Sequence, residues 1–312
     1  MAVPDADVII IGSGAGGGAA AWALTRLGAR VLLLEAGPEY DPHADYRLDR
    51  DDWKVTGFPA KVPTAGRQTH APLQKLEDRW SDLRSWNRLY GKSVVSDRRM
   101  FLRYDHVVGL GGSTLHFTGE AHRLNPASMR MKTKFCVAGD WPLTYAELEP
   151  YYAEVERIIG VAGPPEGSGR PRAEPFPLPA HPLSYATQRL AGGCAELGLT
   201  FVPNALAALS QPYDDRPPCN YCGNCTRGCP RLDKSSVDIT FIRRAQETGR
   251  LEIHTLSPVV RLETRSSDQV TRVVYTDEAG ITRHATAQAV IVACGAVETP
   301  RLLLNSSGVM PS

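Results

Sequence analysis

The chain has 312 residues, 42% hydrophobic and 22% charged, an ordinary globular composition that excludes a largely disordered protein. Its formal net charge of +1 gives no electrostatic case for nucleic acid or an anionic membrane surface as partner. No apolar run approaches the ~18 residues of a membrane span, and Met1-Ala2-Val3-Pro4-Asp5 lacks the basic region and apolar core of an export signal. A cytoplasmic location is therefore the default expectation, with export beside a signal-bearing partner as the alternative.

The apolar run Asp7-Val8-Ile9-Ile10-Ile11 predicts a strand that enters a G-x-G-x-x-G turn at Gly12, Gly14 and Gly17. Gly12 turns the chain off the strand, and Gly14 leaves no Cβ between the backbone and a pyrophosphate. Gly17, with Ala19, Ala20 and Ala21, lets the following helix pack close to a sheet. The N-terminus of that helix, around Ser13, Ala15 and Gly16, offers free N–H groups to phosphate. A second apolar run, Val31 to Leu34, ends in Glu35 and Ala36, where the acid can accept hydrogen bonds from an adenosine ribose. Taken alone the glycine turn reads equally as a flexible loop. Strand, turn, helix, strand and acid in register predict a dinucleotide site without separating FAD from NAD.

From Asp41 to Arg103 the sequence is polar, with Trp53, Trp80, Trp86 and Tyr90 scattered through it; loops and short helices along an active-site edge are expected. A second glycine-rich stretch, His106 to Gly119, holds Gly109, Gly111, Gly112, Ser113 and Thr114 and suits close approach of backbone to a ligand. Tyr145 to Ile159 reads as a helix with Thr144 and Glu147 as its capping box, and Leu148, Tyr151, Tyr152, Val155, Ile158 and Ile159 form its packing face. Residues 163–182 read as a loop and 183–197 as a helix stopped at Gly198. A helix is expected over 235–249. Strands follow at 251–254, 258–264, 270–276, 281–286 and 289–292, the last belonging to the first sheet and leading into a helix from Glu298.

Cys136, Cys194 and Cys294 are isolated and expected to be buried. Cys219, Cys222, Cys225 and Cys229 form C-x2-C-x2-C-x3-C-P, the ligand spacing of bacterial ferredoxins. An iron–sulfur cluster is expected there. A structural Zn2+ site and plain structural thiols or disulfides are the alternatives.

Three stretches together resemble the glucose–methanol–choline (GMC) flavoprotein oxidoreductases: the opening unit ending in Leu34-Glu35-Ala36-Gly37-Pro38, the run Gly109 to Thr114, and Gly295-Ala296-Val297-Glu298-Thr299-Pro300-Arg301 through Val309. Met310 departs from the glycine usual there. Asp140-Trp141-Pro142-Leu143 and Glu149-Pro150-Tyr151-Tyr152 look like the bacterial gluconate and glucose dehydrogenase branch.

The resemblance implies an α/β fold: a Rossmann-like FAD-binding domain with a discontinuous, incomplete α+β substrate domain. The expected boundaries are 1–125 for FAD binding with an insertion at 41–105, 126–234 for a partial substrate or cap region, and 235–312 for the return to FAD binding. It implies FAD held by Gly12 to Gly17 and Glu35, with Gly111 to Thr114 at the flavin end and Val259, Ala293 and Gly295 near the adenine. His116 stands where a pyranose-oxidase histidine carries FAD covalently, so a histidyl–FAD bond is one expectation; a non-covalent flavin neighbour or a hydrogen-bonded loop histidine are its rivals. In that branch cysteines spaced as Cys219, Cys225 and Cys229 hold a [3Fe-4S] cluster, and Cys222 could make it [4Fe-4S].

The implied activity is oxidation of a CH–OH group of a sugar, polyol or other alcohol, with electrons leaving to a cytochrome, quinone or partner subunit. The family's catalytic histidine would lie beyond Ser312, so no catalytic residue is assigned, the chain reads as truncated, and little turnover is expected from it alone. A non-catalytic flavin or iron–sulfur electron-transfer subunit and a sterol- or alcohol-oxidase-like flavoenzyme with structural cysteines are the other readings.

Overall fold

A computed structural model describes residues 4–46, 86–95, 98–165, 169–266 and 269–306. Trp53, Trp80 and the Ser307 to Val309 end of the last family stretch lie outside them. In chain order the elements are β1 (Ala6–Ile11), α1 (Ala15–Arg26), β2 (Val31–Leu34), α2 (Pro42–Asp45), β3 (Trp86–Val95), β4 (Arg98–Val107), α3 (Met131–Phe135), α4 (Tyr145–Ile159), β5 (Ala162–Gly163), β6 (Leu178–Pro179), α5 (Tyr185–Glu196), α6 (Arg243–Glu247), β7 (Leu251–His254), β8 (Val259–Ser266), β9 (Gln269–Thr276), β10 (Thr282–Ala285), β11 (Ala287–Val292) and α7 (Gly295–Leu304). They fold as two compact units, one of Met1–His116, Thr226–Pro230 and Ser236–Ser312, the other of Phe117–Cys225 and Arg231–Ser235. No helix among the described residues is long and apolar enough to cross a membrane.

The first unit is built on a parallel sheet of order β11-β1-β2-β7. Ile10 sits between Ile291 and Leu33, and Leu33 pairs with Ile253. The continuous apolar runs of β1 and β2 fit strands covered on both faces; Ile9, Ile10 and Leu33 are wholly buried. Helix α1 lies tight on this sheet at Gly17, while Gly18 lets Val237 and Ile242 pack against another side of the helix. A Cβ on Gly17 would sit 1.9 Å from the Gly12 carbonyl oxygen, so only glycine permits that approach. An antiparallel sheet of order β10-β9-β8 adds Leu262, Val273 and Tyr275 to the core formed by Ile9, Ile11, Leu32, Leu34 and Leu302.

Several expectations need correction. Loops and short helices were expected through Arg103, but β3 and β4 form an antiparallel hairpin paired from Trp86↔Val107 to Val95↔Arg98. Backbone pairing organises a stretch whose side chains carry little hydrophobic alternation. The helix expected over 235–249 is a π-helical turn at Asp238–Ile242 followed by α6. Ser235 is taken by another bond, its N–H donating to the Ala207 carbonyl at 2.8 Å, and Ile242 N–H then reaches five residues back to Val237. Helix α7 starts three residues before Glu298.

In the second unit α4 has the expected Thr144–Glu147 capping box, but its buried residues are Ala153, Glu156 and Ile158. Tyr151 and Val155 of the expected packing face are exposed. Glu156 is buried instead because it meets two guanidiniums: Arg123 bonds both its oxygens at 2.8 and 2.9 Å, and Arg172 does so at 3.1 and 2.6 Å. Burial pushes the Glu156 carboxyl up, but these hydrogen bonds outweigh it and hold it below the usual range. Cys136 is exposed rather than buried: it ends α3 in a left-handed conformation. Cys194 and Cys294 are half-buried.

Candidate functional site: a cavity at the carboxyl ends of the parallel strands

The first unit encloses a cavity of about 460 Å³ where β1, β2 and β11 end. The glycine turn brings Gly12, Ser13, Gly14, Ala15 and Gly16 to its wall, β2 brings Glu35 and Ala36, and the second glycine stretch brings Gly112, Ser113 and Thr114. Val259, Ala293 and Gly295 complete the expected set on the wall. Gly17 and Gly111 stand behind it, Gly17 against Gly12 and Gly111 against Leu115 and Asp238.

The turn divides its glycines by task. Gly12 has φ +93°, and a Cβ there would lie 2.8 Å from the Ala293 carbonyl oxygen. Gly14 and Gly16 have nothing within 4 Å of an added Cβ. Gly14 is the N-cap of α1, with no side-chain cap and no acid in the first turn. An uncapped helix N-terminus opening on a cavity is suited to an anion. The residues present therefore fit the pyrophosphate of a dinucleotide such as FAD.

Glu35 is buried and accepts from Ser13 N–H at 3.0 Å, Ser13 Oγ at 2.5 Å and Gly37 N–H at 2.9 Å. Burial pushes its carboxyl up, against those bonds, which favour the charged form. The cavity also has lining that the sequence reading missed: Val107, Val108, Pro258, Cys294, Glu298 and Arg301. Arg301 Nε donates to Glu298 Oε2 at 2.5 Å, a spacing of three residues on one helix that could have flagged the pair. Burial pushes the Cys294 thiol up to about 11.

His116 is not among the cavity-lining residues. It is buried, its Nδ1 is 2.7 Å from the Thr226 carbonyl oxygen, and its ring meets Tyr46 edge-on. In this geometry the ring is hydrogen-bonded to the backbone at Thr226 and packed on Tyr46.

Cys219, Cys222 and Cys225 belong to the second unit and Cys229 to the first. None of the four is in a disulfide, and Cys222 is exposed while the others are half-buried. Among the described residues no three His, Cys, Asp or Glu side chains come together as a metal-binding group. Thiolates at this spacing suit iron–sulfur or zinc chemistry, but the arrangement found does not gather them as a ligand set. Burial pushes the Cys219 thiol up to about 11, with Asp233 and the neighbouring thiols adding to the rise.

A parallel sheet whose central strand feeds a glycine turn at an uncapped helix N-terminus defines a Rossmann-like nucleotide-binding fold. The sequence matches the NAD(P)-binding Rossmann-like domain over residues 10–55 and the GMC oxidoreductase family over residues 79–311. The chain belongs to the GMC oxidoreductase family, and its first unit is the Rossmann-like FAD-binding fold of that family.

It is 29% identical to the fructose dehydrogenase large subunit of Gluconobacter japonicus, over 96% of this chain and 54% of that one. It is 27% identical to the 2-methyl-1,2-propanediol dehydrogenase of Mycolicibacterium austroafricanum, over 96% of this chain and 51% of that one. Among solved structures, pyridoxine 4-oxidase from Mesorbium loti superposes with a TM-score of 0.57 at 21% identity, over 97% of this chain and 52% of that one. Formate oxidase from Aspergillus oryzae gives 0.58 at 16% identity, over 97% and 48%. The chain thus spans about half the length of these relatives.

Proposed function

We propose that the protein is an FAD-dependent oxidoreductase acting on a CH–OH group of a sugar, polyol or other alcohol. The observation that carries this reading is the cavity at the N-terminus of α1, lined by both glycine stretches in a chain of this family. Bound FAD would supply the hydride acceptor, its flavin N5. The chain's own part is to bind and orient. The first-turn N–H groups of α1 would hold the pyrophosphate, Glu35 stands at the end of β2 where an adenosine ribose would lie, and Val107, Val108, Pro258 and Val259 would give the cofactor an apolar wall.

Similarity to a fructose dehydrogenase large subunit favours a sugar or polyol as substrate and a partner subunit. An iron–sulfur outlet at Cys219 to Cys229 has the support of spacing alone, so no electron step is routed through it; iron and acid-labile sulfide analysis decides it. The test of the main reading is flavin content of the purified protein, followed by reduction of an artificial acceptor with a panel of sugars, polyols and simple alcohols. Flavin bound in one-to-one ratio is expected. A folded protein that takes up neither FAD nor another adenine dinucleotide overturns the reading.

A further inference from the structure

Three segments of the first unit meet on one buried hydroxyl. Ser13 is fully buried; its Oγ donates to Glu35 Oε2 at 2.5 Å and accepts the Gly111 N–H at 3.0 Å. A hydroxyl carries a single proton, and the short bond to Glu35 takes it, leaving the Gly109 carbonyl at 3.4 Å a weak second acceptor. The bonds therefore run in one direction, from Gly111 N–H through the Ser13 hydroxyl to the Glu35 carboxylate. That carboxylate is anchored from the other side by Gly37 N–H at 2.9 Å. Around this point the backbones touch directly: a Cβ on Gly112 would lie 2.9 Å from Gly14 Cα, and one on Gly37 would lie 2.2 Å from Gly109 N.

We propose that Ser13 is a positioning residue for the cofactor: anchored on Glu35, it holds the loop Gly111 to Thr114 against the phosphate turn so that both line one cavity. This inference rests on the reading of that cavity as an FAD site. Glu35 then acts inward as well as toward a ligand, since both its oxygens already accept bonds that join segments of the wall. Three donors converge on the carboxylate: Ser13 N–H, Ser13 O–H and Gly37 N–H. A proton on Oε2 would displace one of its two donors, and a proton on either oxygen makes the group a weaker acceptor, so the assembly is strongest in the charged form. Cys294 is the titratable neighbour that the charge on Glu35 reaches, and its thiol, pushed up to about 11, stays neutral through the acid range.

The experiment is a double-mutant cycle on the 312-residue chain, read as FAD dissociation constants by quenching of flavin fluorescence across pH. Ser13→Ala and Glu35→Gln are each expected to weaken FAD binding roughly ten- to a hundredfold, as loss of bonds to a charged acceptor would give. The double variant is expected to be no weaker than the worse single one. Wild-type affinity falls on acidification as Glu35 takes a proton. The midpoint of that fall moves to higher pH in Ser13→Ala, which lacks the bond that favours the carboxylate, and disappears in Glu35→Gln. Additive losses with an unmoved midpoint overturn the inference while leaving the FAD reading intact. A folded wild-type chain that binds no FAD overturns both.

Discussion

Replacing Gly14 by alanine should separate cofactor binding from folding. Gly14 has φ −64° and ψ −166°, an extended conformation open to any residue, and an added Cβ meets nothing within 4 Å. Its stability effects oppose one another. Reduced freedom of the unfolded chain favours the variant by roughly 0.4–1 kcal/mol, and alanine is the poorer N-cap by about 0.5–1 kcal/mol. The apo protein should therefore unfold within about 0.5 kcal/mol of wild type. The same methyl projects into the space a pyrophosphate would occupy, and overpacking of roughly 1–3 kcal/mol weakens FAD binding by about five- to a hundredfold. Gly17→Ala is the contrast. Its Cβ would stand 1.9 Å from the Gly12 carbonyl oxygen, a backbone atom that cannot swing away. The helix-propensity gain of about 1 kcal/mol does not offset that clash, and a net loss of at least about 2 kcal/mol is expected. Circular dichroism melts of the apo proteins and flavin fluorescence titrations measure both quantities. A Gly14→Ala protein that binds FAD as wild type does would place the pyrophosphate elsewhere, and one that melts far lower would refute the open geometry at Gly14.

Three further outcomes are expected. Arg123→Met leaves the buried Glu156 with Arg172 alone and should cost about 3 kcal/mol in urea unfolding; adding Glu156→Leu should recover part of that loss, and no loss in the single variant would show the ion pairs to be idle. Glu156 is held below the usual carboxylate range of about 4.3, so its contribution is fully present above that value and fades as pH falls through the depressed one. Acid titration of wild type and Glu156→Gln should diverge only above that window, and parallel curves would contradict the assignment. Cys294, with its thiol pushed up to about 11, should alkylate slowly at pH 8, faster toward pH 11, and more slowly again with FAD bound, because it lines the cavity. Mass spectrometry showing rapid labelling indifferent to FAD would sink that expectation.

The parts of the molecule legible in the sequence are those in which residue identity dictates backbone geometry. Gly12 needs its positive φ and Gly17 its missing Cβ, so the β1–turn–α1 unit is written in single letters. The apolar run at Ala289 to Val292 marks β11, whose pairing with β1 spans nearly the whole chain. The β3–β4 hairpin was hidden because its apolar and aromatic residues do not alternate with polar ones along either strand, although the main chain pairs throughout. The π-helical turn was hidden because nothing in the residue pattern marks Ile242 N–H to bond five residues back to Val237 rather than four. Within the site, the spacing of Cys219 to Cys229 names a ligand set without saying whether the chain gathers those thiols. Glu35 was readable as an acid at the end of a strand, but its bonds to Ser13 and Gly37 depend on how deeply that end is buried.

The location of the cavity follows from strand order. From β1 the chain passes to β2 and β7 on one side, and much later returns as β11 on the other, so the strand order reverses direction at β1. A crevice opens at such a reversal, and in open parallel sheets it is where ligands bind. Two main-chain bonds hold its edges: Gly12 N–H donates to the Leu34 carbonyl at 2.9 Å, and Ala293 N–H donates to the Ile11 carbonyl at 2.8 Å. The turn at Gly12 is thereby stitched to both flanking strands before any ligand arrives. Because a Cβ on Gly12 would also strike the Ala293 carbonyl oxygen, the width of the crevice is set by glycine at one edge and by the register of β11 at the other.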